Sequence, residues 1–335
     1  MTVHAQPALA AMPTIDDIRA AARRIDGLAR RTPLLESPAL NDKFGARLLF
    51  KPEVLQRTGS FKFRGAYNKI ASLTEEERTR GVVAFSSGNH AQGVAAAAQL
   101  FGIRAVIVMP TDAPAIKADN VRAMAAEIVP YDRYRDDREV VAHPYVEKGM
   151  ILVKPFDDPL IVAGQGTVGL EIVEDAAATG VRLDAVVTPC GGGGLMAGIA
   201  TAVKALSPDV EVWGAEPENF DDTRRSLAAG SRMKADPAGT SICDALMSPM
   251  PGELTFAINR KLVAGVAAVS ETSVAAAMRD AAAHLKLVVE PGGAAGFAAL
   301  SSGEIALSGR TVAVVLSGGN VDLGTFAALV GGTRQ

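Results

Sequence analysis

Lys62 stands between two aromatic rings in Ser60-Phe61-Lys62-Phe63-Arg64-Gly65-Ala66, just ahead of a helical pattern. A lysine amine attacks a carbonyl only where desolvation or a neighbouring cation lowers its pKa. The same neighbours also suit a surface lysine that lays its stem on apolar side chains and keeps its ammonium in water. Three glycine-rich segments downstream favour the chemical reading.

Ser86-Ser87-Gly88-Asn89-His90 follows the apolar run Val82 to Phe85 and precedes an alanine-rich helical run ending at Phe101. Gly191-Gly192-Gly193-Gly194-Leu195 follows Ala185-Val186-Val187 and opens another helix, and Ser317-Gly318-Gly319-Asn320 follows Val312 to Leu316. Each is a strand-length apolar run, then small or polar residues, then a helix. Doubly wound α/β domains have this arrangement, with ligands beyond the carboxyl ends of the strands. The glycines at 191–194 let successive backbone N–H groups turn toward one anion, and the following helix adds its positive end. The alternative is a turn that only packs strand on helix. Neither the triphosphate-binding nor the dinucleotide-binding glycine fingerprint is present. A Schiff-base lysine with a separate phosphate cradle points to pyridoxal 5′-phosphate (PLP), a phosphorylated aldehyde held at both ends.

These four segments, in this order, carry a resemblance to the serine/threonine dehydratases and serine racemases, PLP enzymes of the tryptophan-synthase-β type. The resemblance runs from about Ile15 to about Leu329. It implies an α/β, two-lobed fold, each lobe an open, mostly parallel sheet with helices on both faces. A large PLP-binding domain would comprise residues 1–79 and 155–335, with a small, mobile domain at 80–154. Closure of the cleft between them would exclude water.

By the same resemblance Lys62 binds the cofactor covalently beside Phe61, and Gly191, Gly192, Gly193, Gly194 and Leu195 hold its phosphate. Asn89 would bond the ring 3′-oxygen and Ser317 would face the ring nitrogen. Ser86, Ser87, Asn89 and His90 would take the substrate α-carboxylate at a helix N-terminus. Ser87 is in addition the proton carrier of the racemase branch or a helix-capping hydroxyl. Arg138 would read a second carboxylate through its guanidinium fork, or pair with acids on its own helix face. Ser241 is a further active-site hydroxyl, although Cys243-Asp244-Ala245-Leu246 departs from the racemase pattern. Glu290 tunes the cofactor environment or caps a helix.

Glu216-Pro217-Glu218-Asn219-Phe220-Asp221-Asp222 reads as an acidic loop, suited to a hard divalent cation or to a solvated helix start. The resemblance assigns Mg²⁺ or Ca²⁺ to Glu216, the Phe220 carbonyl and Asp222.

The implied reaction is α,β-elimination of a β-hydroxy amino acid, L-threonine or L-serine in first place, to a 2-oxo acid and ammonia. Two alternatives share the scaffold, 3-hydroxyaspartate dehydration and serine racemisation. A catalytically silent amino-acid or PLP-binding protein is the alternative from another class, and the intact lysine argues against it. A homodimer is expected.

Composition fits a metabolic enzyme. The chain has 335 residues, enough for two sizeable cores. A net charge of −3 and 5% aromatic residues give no footprint for nucleic acid. Two cysteines, Cys190 and Cys243, make no disulfide scaffold and suit a reducing cytoplasm. Met1 to Met12 lacks the pattern of a signal peptide, and no run of about 18 apolar residues suggests a membrane span. After Asn320 one helix is expected, leaving no room for a C-terminal amino-acid-sensing domain.

The elements that must position these residues follow from periodicity. Thr14 and Asp17 form a capping box that opens a first helix to about Gly27. Strands are expected at 47–51, 82–85, 105–109, 127–131, 151–153, 185–188, 210–214, 263–269 and 311–316.

Overall fold

The computed structural model describes residues 11–86, 88–133, 135–236 and 238–331, and among these ten strands form two sheets. Along the chain they are β1 (Leu35–Glu36), β2 (Arg47–Pro52), β3 (Val82–Phe85), β4 (Ala105–Pro110), β5 (Glu127–Tyr131), β6 (Ile151–Leu152), β7 (Ala185–Pro189), β8 (Glu211–Pro217), β9 (Gly265–Val269) and β10 (Thr311–Leu316). The larger sheet has the order β1-β2-β10-β7-β8-β9 and the smaller β5-β4-β3-β6. All pairings are parallel except β1 with β2. The two-residue β1 is too short to leave a periodic signal in the sequence.

Parallel sheets bury both faces, so their strands read as continuous apolar runs. Val312 to Leu316 and Ala185 to Val187 are fully buried in this way. The first helix, Ile15–Ile25, has the expected box: Thr14 N donates to Asp17 Oδ2 at 2.8 Å and Asp17 N to Thr14 Oγ1 at 3.3 Å. No helix among the described residues is long and apolar enough to cross a membrane.

The strand order does what the sequence could not announce. β10, last of the strands in the chain, lies between β2 and β7, with Leu316 beside Pro52 and Val314 beside Val187. The carboxyl ends of these three strands therefore lead side by side into the Lys62 segment, Ser317 and the glycine loop. Ser60 bridges to Gly318, and Phe61 N donates to the Ser317 carbonyl at 3.1 Å.

The helix Lys62–Ala71 belongs to both halves. Its Phe63, Ala66, Tyr67 and Ile70 share one apolar cluster with Val82, Val94, Ala95 and Ile107 of the smaller sheet's layer. Its other side meets the 20-residue helix Pro159–Ala178, where a Cβ on Gly164 would lie 2.5 Å from Gly65 Cα.

Candidate active site

A cleft between the two sheets is lined by Phe61, Lys62, Ser86, Asn89, His90 and Arg138, by the loop from Gly191 to Leu195, and by Ser317. Lys62 is the first residue of its helix, and its Nζ donates to the Pro155 carbonyl at 2.8 Å while lying 5.2 Å from the Phe61 ring centre. Part of its surface opens to the cleft, yet enough protein surrounds the amine that burial lowers its pKa to about 8. The positive end of the helix acts in the same direction. An amine so placed is neutral in a far larger fraction near physiological pH than an ordinary lysine, as a nucleophile or a base must be.

Opposite it, the glycine loop runs into the helix Gly194–Leu206, which no side chain caps. Its leading N–H groups are thus left for an anion. The packing explains why side chains are absent. A Cβ at Gly192 would stand 2.3 Å from the Phe156 ring, and Gly193, at φ +88°, would meet Asn259 Nδ2 at 2.8 Å. The Gly192 and Gly193 carbonyls are held from behind by Thr255 Oγ1 at 2.7 Å and Asn259 Nδ2 at 3.3 Å. The loop's shape and free donors fit a phosphate.

Asn89 opens the helix Asn89–Phe101 behind Gly88, which offers no capping side chain. Its amide nitrogen donates to Glu290 Oε1, and its Oδ1 accepts from Asn320 Nδ2 at 2.9 Å. Ser86 Oγ accepts from Gly88 N at 3.1 Å. His90 Nε2 faces the Val153 carbonyl at 2.8 Å, so the ring donates there and Nδ1 is a bare, buried acceptor. Burial, with Lys62 nearby, drives its pKa to about 3 and keeps it neutral. Ser317, 6% exposed, brings a hydroxyl to the cleft wall at the end of β10. Ser87 lies outside the described residues.

Arg138 begins the helix Arg138–Glu147 and stacks its guanidinium 4.7 Å over the Phe85 ring. The neighbouring acids are engaged elsewhere: Asp137 Oδ1 accepts from Glu139 N across the cap, and Asp132 pairs with Arg135.

Ser241 is not brought to the cleft. Its hydroxyl accepts from Cys243 N at 3.1 Å, and the serine that lines the cleft from this stretch is Ser248. Sequence reasoning also missed Lys117 and Asp244. Lys117 comes from the helix Ala115–Ala123, after β4, and its Nζ lies 2.8 Å from Asp244 Oδ2 and 3.3 Å from Glu290 Oε2. Burial alone would lower its pKa, but the two carboxylates outweigh burial and raise it. The rule that ligands gather beyond parallel strands pointed to the segment after β4, though not to its lysine. Glu290, buried, precedes the helix Pro291–Ala298 without capping it by side chain, and burial holds its carboxyl above the ordinary value.

Glu216, Phe220 and Asp222 do not line the cleft. Glu216 belongs to β8 rather than to a loop, fully buried, and accepts from Thr223 N at 3.1 Å and Arg224 N at 2.9 Å. Asp222 begins the helix Asp222–Ala229, and its Oδ2 is buried without a partner. Burial raises both carboxyls, Asp222 to about 7. Phe220 ends the turn Glu218–Phe220 between them. Among the described residues no group of three or more acidic, histidine or cysteine side chains could hold a metal, so an ion here would need carbonyl and water ligands.

Comparison with known proteins identifies the family and the fold. The model of the family described as "Pyridoxal-phosphate dependent enzyme" matches residues 25–318. The chain is 42% identical to an L-threo-3-hydroxyaspartate ammonia-lyase of Saccharomyces cerevisiae, over 97% of this chain and 98% of that one. Its fold is similar to that of the solved T.th. threonine deaminase, with TM-score 0.87, 47% identity and coverage of 93% and 99%. Maize serine racemase gives TM-score 0.89 at 38% identity, covering 95% and 97%. The chain therefore belongs to the PLP-dependent enzyme family of the ammonia-lyases and serine racemases, with the tryptophan-synthase-β-like fold.

Proposed function

We propose that the protein is an ammonia-lyase that removes the β-hydroxyl and amino groups of a small β-hydroxy amino acid, releasing a 2-oxo acid and ammonia. The observation that carries this reading is the Lys62 amine, with its pKa lowered to about 8, in one cleft with the uncapped glycine loop, Asn89 and Ser317. Bound PLP supplies the electron sink that makes the substrate Cα proton acidic. Lys62 takes that proton from one face, and the uncapped N-terminus of Asn89–Phe101 receives the α-carboxylate. At the position assigned to the ring nitrogen Ser317 offers a hydroxyl instead of a carboxylate, so nothing at this residue keeps that nitrogen protonated, which favours elimination over long-lived carbanion chemistry.

L-Threonine and L-serine fit this chemistry. Arg138 supports a dicarboxylic relative, 3-hydroxyaspartate, because its guanidinium lines the cleft and is stacked on a ring rather than bound to an acid. A panel of the three substrates, assayed for 2-oxo acid and ammonia with chiral analysis of remaining serine, tests the reading. Activity toward none would overturn it.

Two further assignments go with it. A divalent cation, Mg²⁺ or Ca²⁺, at Glu216, the Phe220 carbonyl and Asp222 would satisfy the partnerless Asp222 oxygen and offset two buried carboxylates. The chain would act as a homodimer, and the two sheets would serve as a large and a small, moving lobe.

A further inference from the structure

Arg64 lies two residues beyond Lys62 in the first turn of the same helix, so the two side chains leave it on nearly opposite sides. Lys62 reaches into the cleft. Arg64 reaches the other way and is completely buried. Its Nε and Nη2 bind both oxygens of Glu53, at 2.7 and 2.8 Å, and Nη1 and Nη2 bind both oxygens of Glu171, at 2.6 and 2.9 Å. Thr167 Oγ1 at 3.1 Å and the Arg30 carbonyl at 3.1 Å complete the set. Lys51, equally buried, lies 2.7 Å from Glu171 and balances the second carboxylate.

Stability alone is a poor reason for such a cluster. Buried ion pairs roughly break even against apolar residues of similar size, and their clearest use is to specify one arrangement. Here an arrangement needs specifying. The helix is joined to the smaller sheet's layer by its apolar face, while against Pro159–Ala178 it packs backbone to backbone at Gly65 and Gly164, with single ties from Gly65 N to Gln165 Oε1 at 3.2 Å, Asn68 Nδ2 to the Leu160 carbonyl at 2.7 Å and Lys69 Nζ to Asp158 at 2.8 Å. The glycine contact itself has no side-chain knob to resist sliding or rotation, and the three ties beside it are single bonds. The planar fork of Arg64 adds the most directional tie, because it binds both oxygens of Glu53 on the turn before the helix and both of Glu171 on the long helix. That long helix begins just past Pro155, whose carbonyl receives Lys62 Nζ.

We propose that Arg64 is a positioning residue for Lys62: its double fork fixes the lysine helix against the large-sheet half, so that the amine keeps its reach while the other face of the helix packs on the smaller half. This rests on the elimination reading above, in which Lys62 is the base. A displacement of about 1 Å at a reacting group costs on the order of a hundredfold in rate. Arg64→Lys keeps the charge and loses the fork.

The test compares PLP-loaded Arg64→Lys with PLP-loaded wild type. Expected are equal PLP content after dialysis, kcat lowered about a hundredfold with KM little changed, and a shifted pH midpoint of the visible absorbance of bound PLP. A kcat and an absorbance midpoint equal to wild type, whatever the melting temperature, would overturn the proposal. If Arg64→Lys does not fold, Thr167→Val, which removes one bond to the guanidinium, is read the same way, and failure of both to fold makes Arg64 structural and overturns it too. Wild type inactive on every β-hydroxy amino acid would sink the elimination reading instead, and the absorbance midpoints would still decide the role of Arg64.

Discussion

Lys62 Nζ and the Pro155 carbonyl, 93 residues apart in sequence, meet at 2.8 Å on the floor of the cleft. That bond leads the chain to the reactive amine from two directions, one through β2 and the other through the segment that starts the long helix. The amine is held by a neutral acceptor, and burial is left free to lower its pKa.

The first prediction concerns pH. The folded pKa of Lys62, about 8, lies below the ordinary 10.5, so between these values the folded chain binds fewer protons than the unfolded one. Stability of the cofactor-stripped chain therefore gains a contribution as pH rises from about 8 to 10.5, and this contribution fades as pH falls through 8. The rate of PLP capture, followed by visible absorbance, should rise with a midpoint near pH 8. A midpoint near 10.5 would mean an exposed lysine.

Arg138→Ala should discriminate between substrates. Loss of a charge-assisted contact to a second carboxylate costs kcat/KM about 10- to 100-fold for 3-hydroxyaspartate. Threonine turnover should change little. Equal losses for both substrates would return Arg138 to a structural role over Phe85.

Gly192→Ala tests the loop. Its new Cβ would meet the Phe156 ring at 2.3 Å, a degree of overpacking that costs about 1–3 kcal/mol. PLP affinity should fall by at least about tenfold, and Phe156→Leu in the same chain should restore much of it, because the loop's N–H groups are intact. Failure of the second change to help would mean that the alanine disturbs the phosphate contact itself.

Chelation tests the acidic segment. If Glu216 and Asp222 hold a divalent cation, a chelator should lower the melting temperature, and added Mg²⁺ or Ca²⁺ should restore it. Asp222→Asn should remove the response to the ion. A melting temperature indifferent to chelator leaves the two carboxyls as buried acids with raised pKa and no ion between them.

Much of the site could be read from the chain because Asn89, the glycine loop and Ser317 each sit where an apolar run gives way to small residues and a helix, and Lys62 stands between two aromatic rings at a helix start. Local chemistry marks such places. What it does not mark is which strands become neighbours, and the insertion of β10 between β2 and β7 is set by packing across the whole chain. Lys117 was invisible for the same reason: its partners Asp244 and Glu290 lie 127 and 173 residues away, across the cleft. Ser241 and Ser248 differ on a finer scale. The stretch turns at Asp244–Leu246, and Ser248, just beyond that turn, is the serine that lines the cleft. Glu216 reads as a loop residue in the sequence because Pro217 and the acids after it mask the end of a buried strand.

The central claim is that Lys62 bonds PLP and works on the substrate Cα. Borohydride reduction of the PLP-loaded protein, followed by peptide mass spectrometry, tests it most directly. The account predicts one pyridoxyl label, on Lys62, with loss of the visible absorbance and of 2-oxo acid production, and no label in Lys62→Ala. A label on another lysine, or turnover that survives reduction, would contradict it.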